Sequence, residues 1–556
     1  MESIIKTFSA HGTLIQPETL DYILAKENPH EFTDIITKHL KEYPLVLTLE
    51  HIHMVEDKTE TPSIVEPNLE QQQEKNLQHK ILSSLYETTP LNPSGEIEIV
   101  EKDTDEDDEE VLHQEVTIRK SPDILPRVGC LKTWDPASKQ YDSSVKIIRD
   151  ITGKSTCEGN TNDFAKLFEN RFNALRKLLR KQRRELAQVI PINRMKSSGI
   201  KDIQIVGIVN DIRTTTNGHR LIELEDDTGS VMAIALQKDR DVFSLAQTIV
   251  PDEIIGMSGQ FSNHGDLFLI QNIVYPDISL NNRCHKTTDP ICAAFLSDIH
   301  IGSKEFMAKQ WQFFIKWITG NLGNSRQKDV AGKIKYIVIP GDVVDGIGIY
   351  PNQEHELLIT DLYKQYEALA EQLSYIPDHI SIILQPGNHD AVRPAEPQPT
   401  FEKEIQRLFN GNDITFVGNP SYFSLNEVEI LSYHGQSLLD FATNIQHLKY
   451  NEPVEIMKTM LQKHHLAPIY GGYTPLAPEH TDYMVIDKVP DIFVTGHVHL
   501  ATIGEYRGVT LINASSWQAQ TSYQKMMNFN PDPAKLPIAD FQTGKVTMMD
   551  FNKTTM

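Results

Sequence analysis

Five short clusters of Asp, His and Asn, each placed directly after a short apolar run, constrain this 556-residue chain more than any other feature. They read Ser297-Asp298-Ile299-His300, Gly341-Asp342-Val343-Val344-Asp345-Gly346, Gly387-Asn388-His389-Asp390, Tyr433-His434-Gly435 and Gly496-His497-Val498-His499. The runs before them are Ala294-Phe295-Leu296, Tyr336-Ile337-Val338-Ile339, Ile380 to Leu384, Ile430-Leu431 and Ile492-Phe493-Val494. A short apolar run that stops at Gly and polar residues is the pattern of a buried strand opening into a loop. Ligands in layered α/β folds gather where such strands end. Five strand ends carrying oxygen and nitrogen donors therefore predict a bowl along one edge of a sheet. Asp, His and Asn without Cys suit hard or borderline divalent cations such as Mn, Fe or Zn.

A single His after a strand is usually a core or surface residue, and Gly-Asp or Gly-Asn-His alone are ordinary turns. Motifs gain weight from context, and here five stand in order, each at a strand end. The order D-x-H, GD-x-x-D-G, GNHD, H, GH-x-H resembles the calcineurin-like metallophosphoesterase superfamily, with all five elements intact. The resemblance implies two divalent metal ions, Mn2+ foremost, with Fe, Zn or Mg as alternatives. It assigns Asp298, His300 and His499 to the first metal, Asn388, His434 and His497 to the second, and Asp342 as the bridge between them. His389 is implied to face the scissile phosphate without binding metal. There it protonates the leaving oxygen or neutralises charge in the transition state. Asp345 is implied to orient its ring, as carboxylates commonly do for catalytic imidazoles. Two cations roughly 3.5–4 Å apart clamp phosphoryl oxygens and turn a bound water into hydroxide at neutral pH.

Two longer stretches narrow the substrate. The third motif continues as Ala391-Val392-Arg393-Pro394-Ala395-Glu396-Pro397-Gln398-Pro399, and Tyr470-Gly471-Gly472-Tyr473-Thr474-Pro475-Leu476-Ala477-Pro478-Glu479 follows further on. Gly346 stands where phosphoprotein phosphatases carry Arg. Over about residues 195–556 the chain resembles the small subunit of archaeal family-D DNA polymerase, which is related to B-subunits that have lost the metal ligands. This chain keeps them. The resemblance implies a metal-dependent phosphodiesterase acting on DNA 3′ ends. It would serve as a proofreading 3′–5′ exonuclease bound to a large polymerising subunit, in the cytoplasm and associated with the nucleoid. The motifs by themselves show no polarity. Two other functions stay open: a stand-alone nuclease or phosphatase of the same superfamily, and a non-catalytic scaffold whose metal site is structural or vestigial.

Upstream, apolar positions alternate at Ile203, Ile205, Gly207 and Val209, and an apolar run follows at Leu221 to Leu224. A turn at Asp226-Asp227-Thr228-Gly229 leads to Val231, Ala233 and Ala235, and further strands fall at Ile254 to Met257 and Leu267 to Val274. Period-two strands between Gly and Asp turns predict a small antiparallel barrel, and the Leu-Glu-Asp-Asp-Thr-Gly hairpin resembles nucleic-acid OB-folds. Basic and aromatic residues are sparse there, so strand binding and protein docking stand on equal terms. The expected fold class is α/β: a layered calcineurin-like phosphoesterase sandwich with helices, preceded by an OB-fold barrel and a small N-terminal helical module. The expected segments are 1–50 (helical module), 51–150 (disordered acidic linker), 151–192 (basic amphipathic helix), 193–285 (OB-fold) and 286–556 (nuclease domain).

The helical module rests on three short apolar patterns: Ile4, Ile5 and Phe8; Leu20, Ile23 and Leu24 after Pro17; and Phe32, Ile35, Ile36 and Leu40 after Pro29. Proline in the first turn is a common helix start. The linker is rich in Gln, Glu, Thr, Pro and Ser and culminates in Asp103-Thr104-Asp105-Glu106-Asp107-Asp108-Glu109-Glu110. Such composition cannot offset the entropy of ordering. It also explains part of the net charge of −23, which therefore says little about a catalytic face. After it, Phe164, Leu167, Phe168, Phe172, Leu175, Leu178 and Leu179 recur at helical spacing among seven Arg and Lys residues between Arg171 and Arg184. This predicts a helix packed on the barrel with a solvated basic face, or one that contacts phosphates or a subunit. Apolar periodicity at 306–318 and 358–373 predicts helices covering the sheet. The four cysteines form no C-x-x-C pair, which argues against a zinc knuckle or disulfide framework. No run approaches the roughly 18 apolar residues of a membrane span.

Overall fold

The computed structural model describes residues 134–553 except 263–266, 281, 283, 410 and 412, together with parts of 14–52. Two compact units divide the chain at residues 124 and 125. In the first, two-residue strands β1 (Leu14–Ile15) and β2 (Val46–Leu47) pair in parallel, and helix α1 spans Pro29–His39. Helix α1 is the third of the helices expected in this segment, and Pro29 is its first residue. The first expected helix lies outside the described residues, and the strand pair had no signal in the apolar spacing. The acidic run at 103–110 also lies outside them.

The second unit opens with strand β3 (Val145–Arg149) and the 22-residue helix α2 (Thr161–Gln182). Composition groups residues 134–150 with the linker, but the structure builds them into a sheet: β3 pairs antiparallel with a strand near residue 423. Its alternation is too brief, and its setting too polar, to stand out. Helix α2 starts at a capping box in which Asn160 and Asp163 bond each other's backbone N–H groups.

Strands β4 (Ile203–Thr214), β5 (Arg220–Asp226), β6 (Gly229–Ala235), β7 (Ile254–Phe261) and β8 (Phe268–Val274) close a barrel in the order β4-β5-β6-β8-β7. The expected strands are all present. The expected antiparallel pairing holds except at the closure, where β6 and β8 run parallel. This follows from strand order, since β8 reaches β6 only after pairing with β7. Leu175 and Leu179 of α2 pack against Val206 and Ile254 of the barrel. One basic residue does not face solvent as expected: Arg171 is fully buried.

The principal strands and helices after the barrel follow in chain order. They are β9 (Cys292–Phe295), α3 (Ala308–Ile318), β10 (Ile334–Pro340), α4 (Leu362–Ser374), β11 (Ser381–Gln385), β12 (Ile414–Phe416), β13 (Ser421–Leu425) and β14 (Val428–Ser432). Helices α5 (Leu438–Asn444) and α6 (Pro453–Lys463) follow, then β15 (Ile492–Thr495), β16 (Thr502–Tyr506), β17 (Val509–Asn513), α7 (Ser522–Met526), β18 (Lys535–Asp540) and β19 (Val546–Asp550). Two six-stranded sheets result, ordered β12-β11-β10-β9-β18-β19 and β16-β17-β15-β14-β13-β3. Phe295, Val338 and Ile383 of the first sheet share one core with Phe423, Ile430 and Val494 of the second. Trp311 and Phe314 of α3 and Leu369 of α4 cover the other face of the first sheet, and Phe441 of α5 and Met457 of α6 cover that of the second. No described helix is long and apolar enough to cross a membrane.

All five motif-bearing runs are strands, namely β9, β10, β11, β14 and β15. The expectation of a single sheet edge is corrected: they lie on two sheets. Within each sheet they run parallel, so their C-terminal ends open on the same side.

Candidate metal centre

The structure brings together all nine residues singled out in the motifs. His499 Nε2 lies 3.2 Å from Asp298 Oδ1 and 3.1 Å from His300 Nε2. In a second group, His434 Nε2 lies 3.2 Å from Asp342 Oδ2, 3.0 Å from Asn388 Oδ1 and 3.3 Å from His497 Nδ1. Asp342 Oδ2 is also 4.0 Å from His300 Nε2, so its carboxylate stands between the groups. Asp298, His300, Asp342, His434 and His499 are buried, while Asn388 and His497 are half-buried.

Backbone geometry explains how loop residues converge so closely. Asp298, His300, Asp342, His497 and His499 have φ of 51°, 52°, 50°, 68° and 57°. Non-glycine residues rarely adopt this left-handed region, and it persists only where surrounding contacts over-determine it. Those contacts are present. Asp298 N–H donates to Gly341 O at 3.1 Å, His300 N–H to Asp342 O at 3.1 Å, and Trp517 N–H to Asp298 O at 2.9 Å. Two glycines admit the close approach. A Cβ at Gly387 would sit 2.3 Å from Asp342 Oδ1, and one at Gly496 would sit 1.9 Å from Ser297 Oγ.

The imidazoles are held by partners outside the two groups. His434 Nδ1 donates to Pro340 O at 2.9 Å, which turns Nε2 toward the other ligand atoms. His300 Nδ1 donates to Asp345 Oδ1 at 3.0 Å, with the same result. The amide of Gln524 contacts His499 Nδ1 at 3.1 Å. His389 Nδ1 donates to the main-chain carbonyl of Asp345 at 2.8 Å. This corrects the expected role of the Asp345 carboxylate. Asp345 does orient His389, but through its backbone, while its carboxylate serves His300, Gln518 at 2.9 Å and Gln353 at 3.2 Å. The atoms of His300, Asp345 and His389 also lie within metal-binding distance of one another, yet these hydrogen bonds already occupy them.

Sequence reasoning missed the glutamines. The T-x-x-Q spacing of Thr521 and Gln524 marks a helix start, and both form a capping box, but nothing in that spacing says where the amide points. Asp390, given no role, bonds Gly387 N–H at 2.8 Å and Val343 N–H at 3.3 Å and so ties the second motif to the third. Arg393 turns away from the centre: it pairs with Glu479 at 2.8 Å.

Electrostatically the centre is short of positive charge. Three buried carboxylates, Asp298, Asp342 and Asp345, have only histidines within ion-pair reach among the described residues. No hydrogen bond reaches Asp298 Oδ1. Burial opposes charge on His434, but the Asp342 carboxylate outweighs it and pushes the pKa up to about 10. His497 is pushed down to about 3 by burial and by the charged His434 beside it. On His389 burial is outweighed by Asp342 and Asp345, and its pKa rises. The cluster thus takes up protons to offset its carboxylates. Convergent lone pairs, an unbonded carboxylate oxygen and surplus negative charge fit a divalent pair of Asp/His/Asn ligand sets.

Residues 293–503 match the family model of the B subunit of DNA polymerases alpha and epsilon. The DNA polymerase II small subunit of Archaeoglobus fulgidus is 44% identical over 396 residues, which is 71% of this chain and 78% of that one. Its counterpart in Methanocaldococcus jannaschii is 42% identical over 404 residues, covering 72% and 68%. That of Methanothermobacter thermautotrophicus is 40% identical over 418 residues, covering 75% and 84%. Solved structures align only in part. The S. pombe Stn1–Ten1 complex covers 13% of this chain at a TM-score of 0.13 and 19% identity, too little to bear on the fold. Identity of this order across most of both chains agrees with the resemblance seen in the motifs: the chain belongs to the DNA polymerase II small subunits, the small subunits of family-D polymerase.

Proposed function

We propose that the chain is a proofreading 3′–5′ exonuclease, a metal-dependent DNA phosphodiesterase that works as one subunit of a two-subunit replicative polymerase. The observation that carries this is the convergence of two donor sets on one carboxylate, Asp342, in a chain of this family. Asp298, His300 and His499 would hold one cation, Asn388, His434 and His497 the other, and Asp342 both. Bound divalent cations, with Mn2+ the expected pair, supply Lewis-acid stabilisation of phosphoryl oxygens and a hydroxide nucleophile at neutral pH. The two-sheet sandwich is read as calcineurin-like and the barrel as an OB-fold, with 193–285 and 286–556 as their domains. The partner is the large polymerising subunit.

The chain's own residues do the positioning. Pro340 O and the Asp345 carboxylate fix the tautomers of His434 and His300, so that both present Nε2 inward. His389 has Nδ1 committed to the Asp345 carbonyl, and its Nε2 lies 4.0 Å from Asp342 Oδ2. With its pKa raised by two neighbouring acids, that Nε2 holds a proton to pass to the leaving oxygen of the scissile ester.

Excision of mismatched and single-stranded 3′ ends in Mn2+, with co-purification of a large polymerase chain, tests the reading. His389→Ala should cut excision by about 10²–10⁴-fold while metal content and co-purification stay near wild type. His434→Ala should lower metal occupancy as well. If His389→Ala sheds metal as His434→Ala does, the division of roles is wrong; if wild type excises nothing, the enzyme reading falls.

A further inference from the structure

We infer that the metal centre is flanked by two apolar ledges, one on α7 and one after Asp345, that hold the nucleobases of the strand it takes. The inference deepens the exonuclease reading and rests on it. One ledge is α7 with the residue after it. Tyr523, Met526 and Met527 are 56%, 77% and 62% exposed, which crowds three large apolar side chains onto one helical turn and its end. This helix is fastened to the centre, since Gln524 between them contacts His499 Nδ1 at 3.1 Å. Just beyond it, Phe529 packs its ring 5.8 Å from that of Tyr450.

The second ledge follows Asp345 directly. Ile347 and Ile349 are 44% and 38% exposed, and the ring of Tyr350 lies 6.5 Å from that of His389. The ledges therefore hang from two different histidines, His499 and His389, whose rings sit 5.0 Å and 4.8 Å from the ring of His300. A phosphate held among these histidines leaves its neighbouring bases beside apolar side chains on either hand.

The chemistry of the ledges selects their occupant. Contiguous exposed apolar side chains mark a binding face rather than ordinary surface. Aromatic and thioether groups stack on any base, because every base has a π-face, and methionine adapts its shape. Ledges of this kind hold bases with no hydrogen-bond readout of sequence.

The test compares binding of two fluorescent strands of equal length with cleavage-resistant 3′ linkages, oligothymidylate and an abasic oligomer, to the full-length chain loaded with Mn2+. Wild type should bind the strand with bases roughly 5- to 100-fold more tightly, the range that stacking of one base gives. Tyr523→Ala/Met526→Ser/Met527→Ser should erase that preference with manganese content and thermal midpoint unchanged. Ile347→Ser/Ile349→Ser, on the other ledge, should reduce it as well and covers the case in which the first variant fails to fold. A preference that survives in both variants overturns the inference, as does its absence in wild type. So does a variant that keeps the preference and loses only co-purification with the large subunit, since the face would then belong to that partner. Should wild type prefer bases yet excise nothing, the exonuclease reading falls and the ledges stand.

Discussion

Buried charge is housed in two contrasting ways within the second unit. At the junction of the barrel, α2 and the sandwich, each buried acid meets a buried cation. Arg171 Nε lies 2.7 Å from Asp482 Oδ2, and its Nη1 donates to Pro468 O at 2.6 Å and Asp252 O at 3.1 Å. Asp482 also bonds His465 at 3.0 Å and Met484 N–H at 2.9 Å, and Lys463 of α6 pairs with Glu253 of the barrel. Burial holds the His465 pKa down at about 4, so this ring adds no charge to the balance. At the metal centre three acids have histidines as their only ion-pair partners among the described residues. Ion pairs buried in balance fix how layers sit on one another, although swapping them for apolar residues often costs nothing. An acid cluster left short of cations, with oxygen and nitrogen ligand atoms converging on it, has the composition that a divalent cation site requires.

The sharpest way to break this contrast is Asp342→Asn. Removing the shared carboxylate should lower excision by more than about 10³-fold, beyond the loss from one oriented donor, and should lower occupancy of both metals. The metal-free protein should be less stable than wild type, because the carboxylate that keeps the buried His434 protonated is gone. Excision assays, metal analysis and thermal midpoints in chelator check all three points, and near-normal cleavage would sink the two-metal assignment.

The junction should respond in the opposite manner. Arg171→Met strands Asp482 in the interior and should cost about 3–5 kcal/mol, seen as a large drop in thermal midpoint. Manganese content at low temperature should stay at the wild-type level. A variant that keeps its stability but loses metal would erase the distinction between the two regions.

One more buried acid sharpens the comparison by following neither pattern. Glu396 is buried without a cation, bonded by Tyr433 Oη at 2.8 Å and Asn419 Nδ2 at 3.1 Å. Burial outweighs those bonds and raises its pKa to about 7. With the folded-state value above the unfolded one, its contribution is fully present below the ordinary carboxylate range and is lost as pH rises through 7. Glu396→Gln should remove that dependence and gain on wild type by roughly 1 kcal/mol or more at pH 8 relative to pH 5. Thermal midpoints at the two pH values measure it; parallel curves would mean that Glu396 is charged throughout.

What could be read from residues alone followed from how strongly each local pattern dictates its structure. The buried strands β9, β10, β11, β14 and β15 were legible because parallel strands covered on both faces are unbroken apolar runs that stop abruptly. The barrel strands were legible by alternation. The assignment of runs to two sheets was not, since pairing partners are chosen across the fold and leave no mark on the run itself. Strand β3 hid in a polar stretch, where only its partner β13 makes it a strand. Gln518 reaches Asp345 across 173 residues, and Asp345 divides its carbonyl and carboxylate between two histidines. Neither arrangement has a local signature, because both depend on where distant loops meet.

The left-handed backbone at Asp298, His300, Asp342, His497 and His499 has a consequence for how this chain can change. A ligand position freed from selection for chemistry still has to satisfy that torsion, which Gly, Asn and Asp accept and β-branched residues resist. Drift at these sites is therefore channelled: Val, Ile and Thr are barred by the main chain long after any need for a metal has gone. The loops preserve an outline of the site in their permitted alphabet. A descendant that had abandoned the reaction would show it by Gly or Asn at these positions, and an engineer retuning the donor set has Asp and Asn as the substitutions that leave the loops in place.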